Sequence, residues 1–277
     1  MRKMLCRFCG NEEPEDSVFC SECGKRLVQP AEKTGEEPAP ELEQALPGHI
    51  ARRIPFATIA IILINVVVAI DVLCETGTLN PSASRFIAFG ANYAPKTYHG
   101  ESWRNFTSMF LHAGVEHLAC NMLCLWSFGA ILERLMGSVR MTAVYLLAGL
   151  FASHVSMSFH ETDVCLGASG AVFGLFGAAV TYIAIMAPKL GLNMKSVGGY
   201  MANGLCFAGI NFIYSLMPGV DMSAHVGGFC AGIALGAVTG HASRTSNRTL
   251  SICMNACIIA VAAVNLVWSV ALWKKWL

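Results

Sequence analysis

Three short stretches of this chain place polar side chains where the surrounding sequence is almost wholly apolar. In "CLGASGAVFGLFG", residues 165–177, Ser169 stands among glycines at the threshold of a run apolar enough to be a helix in lipid. His225 lies in "DMSAHVGGFCAGIALGAVTG", residues 221–240. "HLACNMLCLW", residues 117–126, carries His117 and Asn121, four apart and therefore on one helical face. A serine becomes a nucleophile when a base takes its proton, and acyl transfer then needs donors for the oxyanion. Taken alone, Ser169 has a plainer explanation, because serine is a favoured N-cap and small residues let membrane helices approach closely. The soluble-hydrolase elbow G-x-S-x-G is not met either, since Ala171 stands where the second glycine belongs. Whether these groups do chemistry depends on whether they reach one depth.

A fourth constellation sits at the N-terminus, where "CRFCGNEEPEDSVFCSECG" spaces Cys6, Cys9, Cys20 and Cys23 as two C-x2-C pairs. Each pair suits a knuckle whose two thiolates share one tetrahedral zinc, and the glycines Gly10 and Gly24 follow where positive φ is often needed. Two disulfides or a redox pair are the alternative. The ten-residue spacer is shorter than that of common paired sites. The quartet resembles the short zinc ribbons found at protein termini, with a structural Zn2+ and a role in recognition or regulation by a cytosolic partner. A closed four-thiolate site leaves no open position for catalysis.

The elements that must position the first three stretches follow from composition. Of 277 residues, 55% are hydrophobic and only 13% charged, against about 25% charged in soluble domains. Mean hydropathy is +0.53. Spans of about 20 apolar residues are expected near 54–73, 117–136, 139–158, 169–187, 199–217, 224–240 and 251–273. Residues 1–27 form the ribbon, 28–50 an acidic Pro/Glu-rich linker, and 51–277 the membrane domain. The connection 74–116, with Trp103, Phe106 and Phe110, is too polar to span and is placed at the membrane interface. The eight cysteines outside the quartet read as packing residues.

Lys and Arg set the orientation. Arg52, Arg53, Arg134, Arg140, Lys189, Lys195, Arg244 and Arg248 lie at one set of loops, whereas 159–168 and 218–223 have neither residue type. The N-terminus is therefore expected in the cytosol, although Arg85, Lys96, Arg104 and the terminal Lys274-Lys275 run against the pattern. The spans that open with His117, Ser169 and His225 then all begin at the external side, at comparable depth. Gly228, Gly232, Gly236 and Gly240 form a smooth stripe that His225 shares, and Gly170, Gly174 and Ala178 offer a matching surface beside Ser169. His154, inside the third span, is read as a buried packing or hydrogen-bonding residue. His112 is read as orienting the interfacial loop.

"WRNFTSMFLHAGVEHLACN", "GASGAVFGLFG" and "AHVGGFCAGIALG", in that order, resemble the rhomboid intramembrane serine proteases over about residues 54–240. The resemblance implies an all-α polytopic fold of six core transmembrane helices, with the seventh span as an added C-terminal helix. It implies an endopeptidase with a catalytic dyad of Ser169 and His225 and no acidic third member. It further implies that His117 and Asn121 stabilise the oxyanion, that Gly167 shapes the loop before the nucleophile, and that Phe173 stacks beside the histidine. Trp103-Arg104 and Glu133-Arg134 match structural positions. Such a dyad requires no cofactor. The expected partners are transmembrane segments of membrane-protein substrates and the lipid bilayer, with no nucleic acid. No secretory signal opens the sequence, which suits a bacterial inner membrane. The rivals are a catalytically silent rhomboid-like binder of membrane clients and a transporter, which would use midplane polar sites and interrupted helices.

Overall fold

The computed structural model describes residues 3–6, 9–14, 17, 19–25, 50, 52–192, 221–249, 251–256 and 258, with scattered positions between 195 and 209. The chain divides into two compact units, Met1–Ala39 and Pro40–Leu277. In the first, strands β1 (Lys3–Leu5) and β2 (Glu12–Pro14) pair antiparallel, with Met4 opposite Glu13.

Among the described residues, the second unit has five helices long and apolar enough to cross a membrane: α1 (Phe56–Thr76), α5 (Val115–Met136), α6 (Ser138–Phe159), α7 (Ser169–Leu190) and α8 (Met222–Arg244). They correspond to five of the expected spans, with ends shifted by a few residues. The expected spans 199–217 and 251–273 lie for most of their length outside the described residues, as does the linker 28–49. Between α1 and α5 the chain folds as short pieces: α2 (Ala83–Ala88), strand β3 (Asn92–Tyr93), α3 (Ala94–Thr97), α4 (Arg104–Thr107) and a 3-10 turn at Ser108–Phe110. Strand β4 (Val164–Cys165) pairs with β3 and so ties this interfacial layer to the residues just before α7.

Polar anchors fix that layer. The Arg104 guanidinium donates to Glu101 Oε2 from Nε (2.6 Å) and to the Ile87 and Ala91 carbonyls. At the opposite end of the helices, Glu133 of α5 accepts the Ala57 and Thr58 N–H groups (both 2.8 Å), the Thr58 hydroxyl and the Ser138 hydroxyl. One carboxylate thus caps the N-terminus of α1, where backbone donors lack intrahelical acceptors.

The centre of the bundle is α7, whose Gly170, Ala171, Gly174, Leu175, Phe176, Ala178 and Ala179 are all buried. Its contact with α8 is nearly backbone to backbone. A methyl added at Gly228 would fall on the Gly170 carbonyl oxygen, and one at Gly232 on that of Gly174. Gly236 meets Ala178 and Thr181, and Gly240 meets Ile185. The Thr181 hydroxyl also donates across to the Ile233 carbonyl (3.1 Å). Small residues at spacing four make this approach possible, and dispersion between the close-packed backbones holds it.

Candidate active site

Ser169 is the first residue of α7. It follows a loop held at several points: the Gly167 N–H donates to the Ser108 carbonyl (2.9 Å), and the Ala168 N–H to His112 Nε2 (3.4 Å). Gly167 has φ 125, which a residue with a side chain rarely adopts. Space excludes a side chain there as well. A Cβ on Gly167 would lie 2.9 Å from His117 Cε1 and Nε2 and 3.8 Å from Ser169 Oγ. The His117 ring and the Ser169 hydroxyl therefore face the same small space.

His117 Nδ1 accepts the Ala113 N–H (3.4 Å), which assigns the ring proton to Nε2, the nitrogen turned toward that space. Asn121, one turn on, is buried and donates from Nδ2 to the His117 carbonyl (2.9 Å), leaving a second amide N–H. His112 packs edge-on against His117, with centroids 5.0 Å apart. Burial, reinforced by His117, pushes His112 down to about 3, so it stands as a neutral acceptor for the loop.

His225 lies in the first turn of α8 and is only 6% exposed. Its ring stacks on Phe173 of α7, with centroids 4.4 Å apart and planes 21° from parallel. The residue after the serine, Gly170, sits against Ala224 and Gly228, immediately before and one turn beyond the Ala224–His225 step. Serine, histidine and the His117–Asn121 face thus converge at one end of the bundle.

Over residues 99–242 the chain matches the family model of the rhomboid domain. The chain belongs to the rhomboid family. It is 39% identical over 159 residues to RHOMBOID-like protein 7 of Arabidopsis thaliana, covering 57% of this chain and 50% of that protein. Over 169 residues it is 36% identical to Rhomboid protease GluP of Bacillus subtilis, covering 61% and 32%. With Rhomboid protease AarA of Providencia stuartii it shares 29% identity over 217 residues, covering 70% and 77%. The chain spans about half the length of the first of these curated relatives. This rhomboid is an integral, multi-pass membrane protein with the all-α polytopic fold of its family.

One reading changes on the structure. His154 is not buried: it lies on the outer face of α6 with Nδ1 against its own Leu150 carbonyl at 2.7 Å, so its polarity is absorbed by its own helix. A group that the sequence reading passed over is Asp221, the N-cap of α8. It accepts from the Ala224 N–H (3.0 Å), the Ser223 hydroxyl (2.6 Å) and the Ser156 hydroxyl of α6. An acidic residue four before a histidine, at a helix start, was the available signal. Its link to α6 had none.

In the ribbon, the four cysteine sulfurs lie within 4.8 Å of one another and could hold a metal ion. Cys6 and Cys23 Sγ are 3.7 Å apart, and Cys9 and Cys20 Sγ 3.5 Å. Tetrahedral zinc with Zn–S bonds of about 2.3 Å holds its sulfurs about 3.8 Å apart, so the donor set fits. Each knuckle closes the same way, with Gly10 N–H donating to the Cys6 carbonyl (2.8 Å) and Gly24 N–H to that of Cys20 (2.9 Å). Both glycines have positive φ, 79 and 66. Glu13 braces the second knuckle by accepting the Ser21 N–H (2.8 Å) and hydroxyl (2.5 Å).

Proposed function

We propose that this rhomboid is an intramembrane serine endopeptidase that cleaves transmembrane segments of membrane proteins near the external leaflet. Ser169 is the nucleophile and His225 its base. The observation that carries the reading is the Gly170–Gly228 contact, which sets the helices bearing hydroxyl and imidazole backbone to backbone, with Phe173 stacked on the ring. His225 removes the Ser169 proton as Oγ attacks the scissile carbonyl. The His117 Nε2–H and the free Asn121 amide N–H receive the developing oxyanion, together with backbone donors of the first turn of α7 from Ser169 onward. The Ala168 and Gly167 N–H groups are already engaged by the loop. The imidazolium then protonates the leaving amine, and water hydrolyses the acyl-enzyme through the same base. The substrate helix must unwind locally, because a helical backbone shields its own carbonyls, so substrates with helix-weakening residues at the cleaved bond are favoured.

Cleavage of a transmembrane reporter in membranes tests this. Ser169→Ala and His225→Ala lower turnover by about 10³-fold or more, and His117→Ala or Asn121→Ala by about 10²–10³-fold. Undiminished cleavage by the serine variant sinks the assignment and leaves the silent-binder reading.

The chain is partitioned as ribbon 1–27, linker 28–50 and membrane domain 51–277. What supports a cytosolic N-terminus, in a bacterial inner membrane, is the Lys/Arg distribution together with a thiolate site suited to a reducing compartment. Cys6, Cys9, Cys20 and Cys23 hold a structural zinc, which would organise the two knuckles for a cytosolic partner. Backbone N–H groups of Cys23 and Glu22 favour the Cys20 thiolate, but burial and neighbouring thiols outweigh them and push Cys20 up to about 12, so ionising this thiol calls for a cation. Purified reduced protein should contain one zinc per chain. Removing it with a chelator should leave reporter cleavage by the membrane domain within about twofold. A metal content of zero removes the zinc reading.

A further inference from the structure

The family resemblance gives the base of the proposed dyad no acidic partner, yet the structure brings a carboxylate to the same helical turn. Asp221 precedes His225 by one turn, and its carbonyl accepts the His225 N–H (3.4 Å). The Asp221 carboxylate accepts three hydrogen bonds, from the Ser223 hydroxyl and the Ala224 N–H of its own helix and from the Ser156 hydroxyl of α6. His160 Nε2, in the loop after α6, lies 3.3 Å from it. Burial opposes ionisation of Asp221, but these hydrogen bonds outweigh it and hold the carboxyl below the usual range, so it is charged at neutral pH. Groups four residues apart on one helical turn are neighbours, which brings the Asp221 charge to the side of the helix that carries the His225 ring.

Resting on the reading of Ser169 and His225 as nucleophile and base, we propose that Asp221 is a positioning residue for that base. Its carboxylate locks the first turn of α8 to α6, and its fixed charge stabilises the imidazolium that forms as His225 takes the Ser169 proton. No proton passes to Asp221. The proton moves from Ser169 Oγ to His225 and onward to the leaving group, while Asp221 stays ionised throughout. The donors that hold its carboxylate are Ser156, Ser223 and Ala224.

His160 completes the arrangement from outside. Its Nδ1 faces Asp163 Oδ2 (3.0 Å) while Nε2 faces Asp221. Among the described residues, the other titratable groups near enough to bear on this network are Cys165 of β4 and His117 of α5.

The full chain in proteoliposomes is treated with a fluorophosphonate probe, and the labelling rate of Ser169 is followed against pH beside reporter cleavage and thermal unfolding. Asp221→Asn keeps the helix cap, since asparagine caps as well as aspartate, but removes the charge. Labelling and turnover should each fall about tenfold or more, the order expected of one charge partner in a partly wet protein interior. KM should stay unchanged and the midpoint of unfolding should stay close to wild type. The acid limb of the labelling profile should be displaced in Asp221→Asn and unmoved in Ser156→Ala, which keeps the charge. Labelling of Asp221→Asn within twofold of wild type overturns the proposal. So does a loss of labelling that merely parallels a loss of stability across Asp221→Asn and Ser156→Ala. If Ser169 labels in an Asp221-dependent way but no transmembrane reporter is cleaved, the positioning role stands and the endopeptidase reading falls. No labelling of wild-type Ser169 removes both.

Discussion

Helices α1 and α7 are the two most apolar of the five, with mean hydropathies of 2.6 and 1.9 over their most apolar stretches, yet 28% of the one and 78% of the other is buried. Hydropathy says that both belong in a membrane; it does not say which belongs in the middle. Side-chain size does. α1 carries Leu63, Ile64, Val67, Ile70 and Leu73 outward, large residues matched to lipid and exposed in the structure. α7 presents Gly170, Gly174 and Ala178, which allow α8 to lie against its backbone. Lipid tails are as apolar as leucine, so no hydrophobic force draws a Leu-rich helix inward, whereas small residues gain contact that lipid cannot supply. α1 is held instead at a polar point, the Glu133 cap. One helix is central by packing and the other peripheral by tether.

The sharpest way to break that contrast is at the close approach. Gly228→Leu would drive a side chain into the Gly170 carbonyl, and it should abolish both folding in detergent and reporter cleavage. Gly228→Ala also sets a methyl on that carbonyl oxygen and forces the helices apart, though by less, and should cost about 3 kcal/mol or more by thermal or denaturant unfolding. At the tether, Glu133→Gln weakens the charge-assisted bonds to Ala57 and Thr58 and should cost about 1.5–3 kcal/mol, with turnover of the surviving folded protein within a few-fold of wild type. A larger effect at Glu133 than at Gly228 would reverse the ranking of packing over tether.

The loop that α7 leans on adds a pH-dependent contribution. His112 is pushed down to about 3 when folded, against about 6.5 unfolded. Its contribution is therefore fully present above about pH 6.5 and is lost as pH falls toward 3, because the unfolded state takes up the proton first. Stability should decline between pH 6.5 and 5 by up to about 1.4 kcal/mol per pH unit, and His112→Gln should flatten that slope. The smallest effect belongs to the lipid face of α1. Val67→Ala should change stability by about 0.5 kcal/mol or less and leave cleavage unchanged, and a large loss there would mean that α1 has a partner on that face.

Much of this was legible in the residues. The apolar runs located α1, α5, α6, α7 and α8. The glycine spacing in "AHVGGFCAGIALG" predicted a close helix–helix contact, and the structure has it between α7 and α8. The motif order identified the family. Helix ends were less legible: the run near 54–73 extends to Thr76, because Gly77 with φ 73 provides the C-cap that ends it. His154 was misplaced because a histidine can satisfy itself on its own Leu150 carbonyl, and nothing in the sequence distinguishes that from burial.

The sequence by itself determined the five described helices of membrane-spanning length, that four cysteines form two knuckles, and that serine and histidine open helices with matching small-residue faces. These follow from composition and local periodicity, which each segment carries within itself. Only the tertiary structure decided that His117 turns Nε2 toward the space of Ser169, that Gly167 has no room for a side chain, and that Asp221 reaches Ser156 and His160 beside the base. The physical reason is that those contacts join residues from separate helices and loops. Their geometry is set by how closely backbones pack, and no single stretch of chain encodes it.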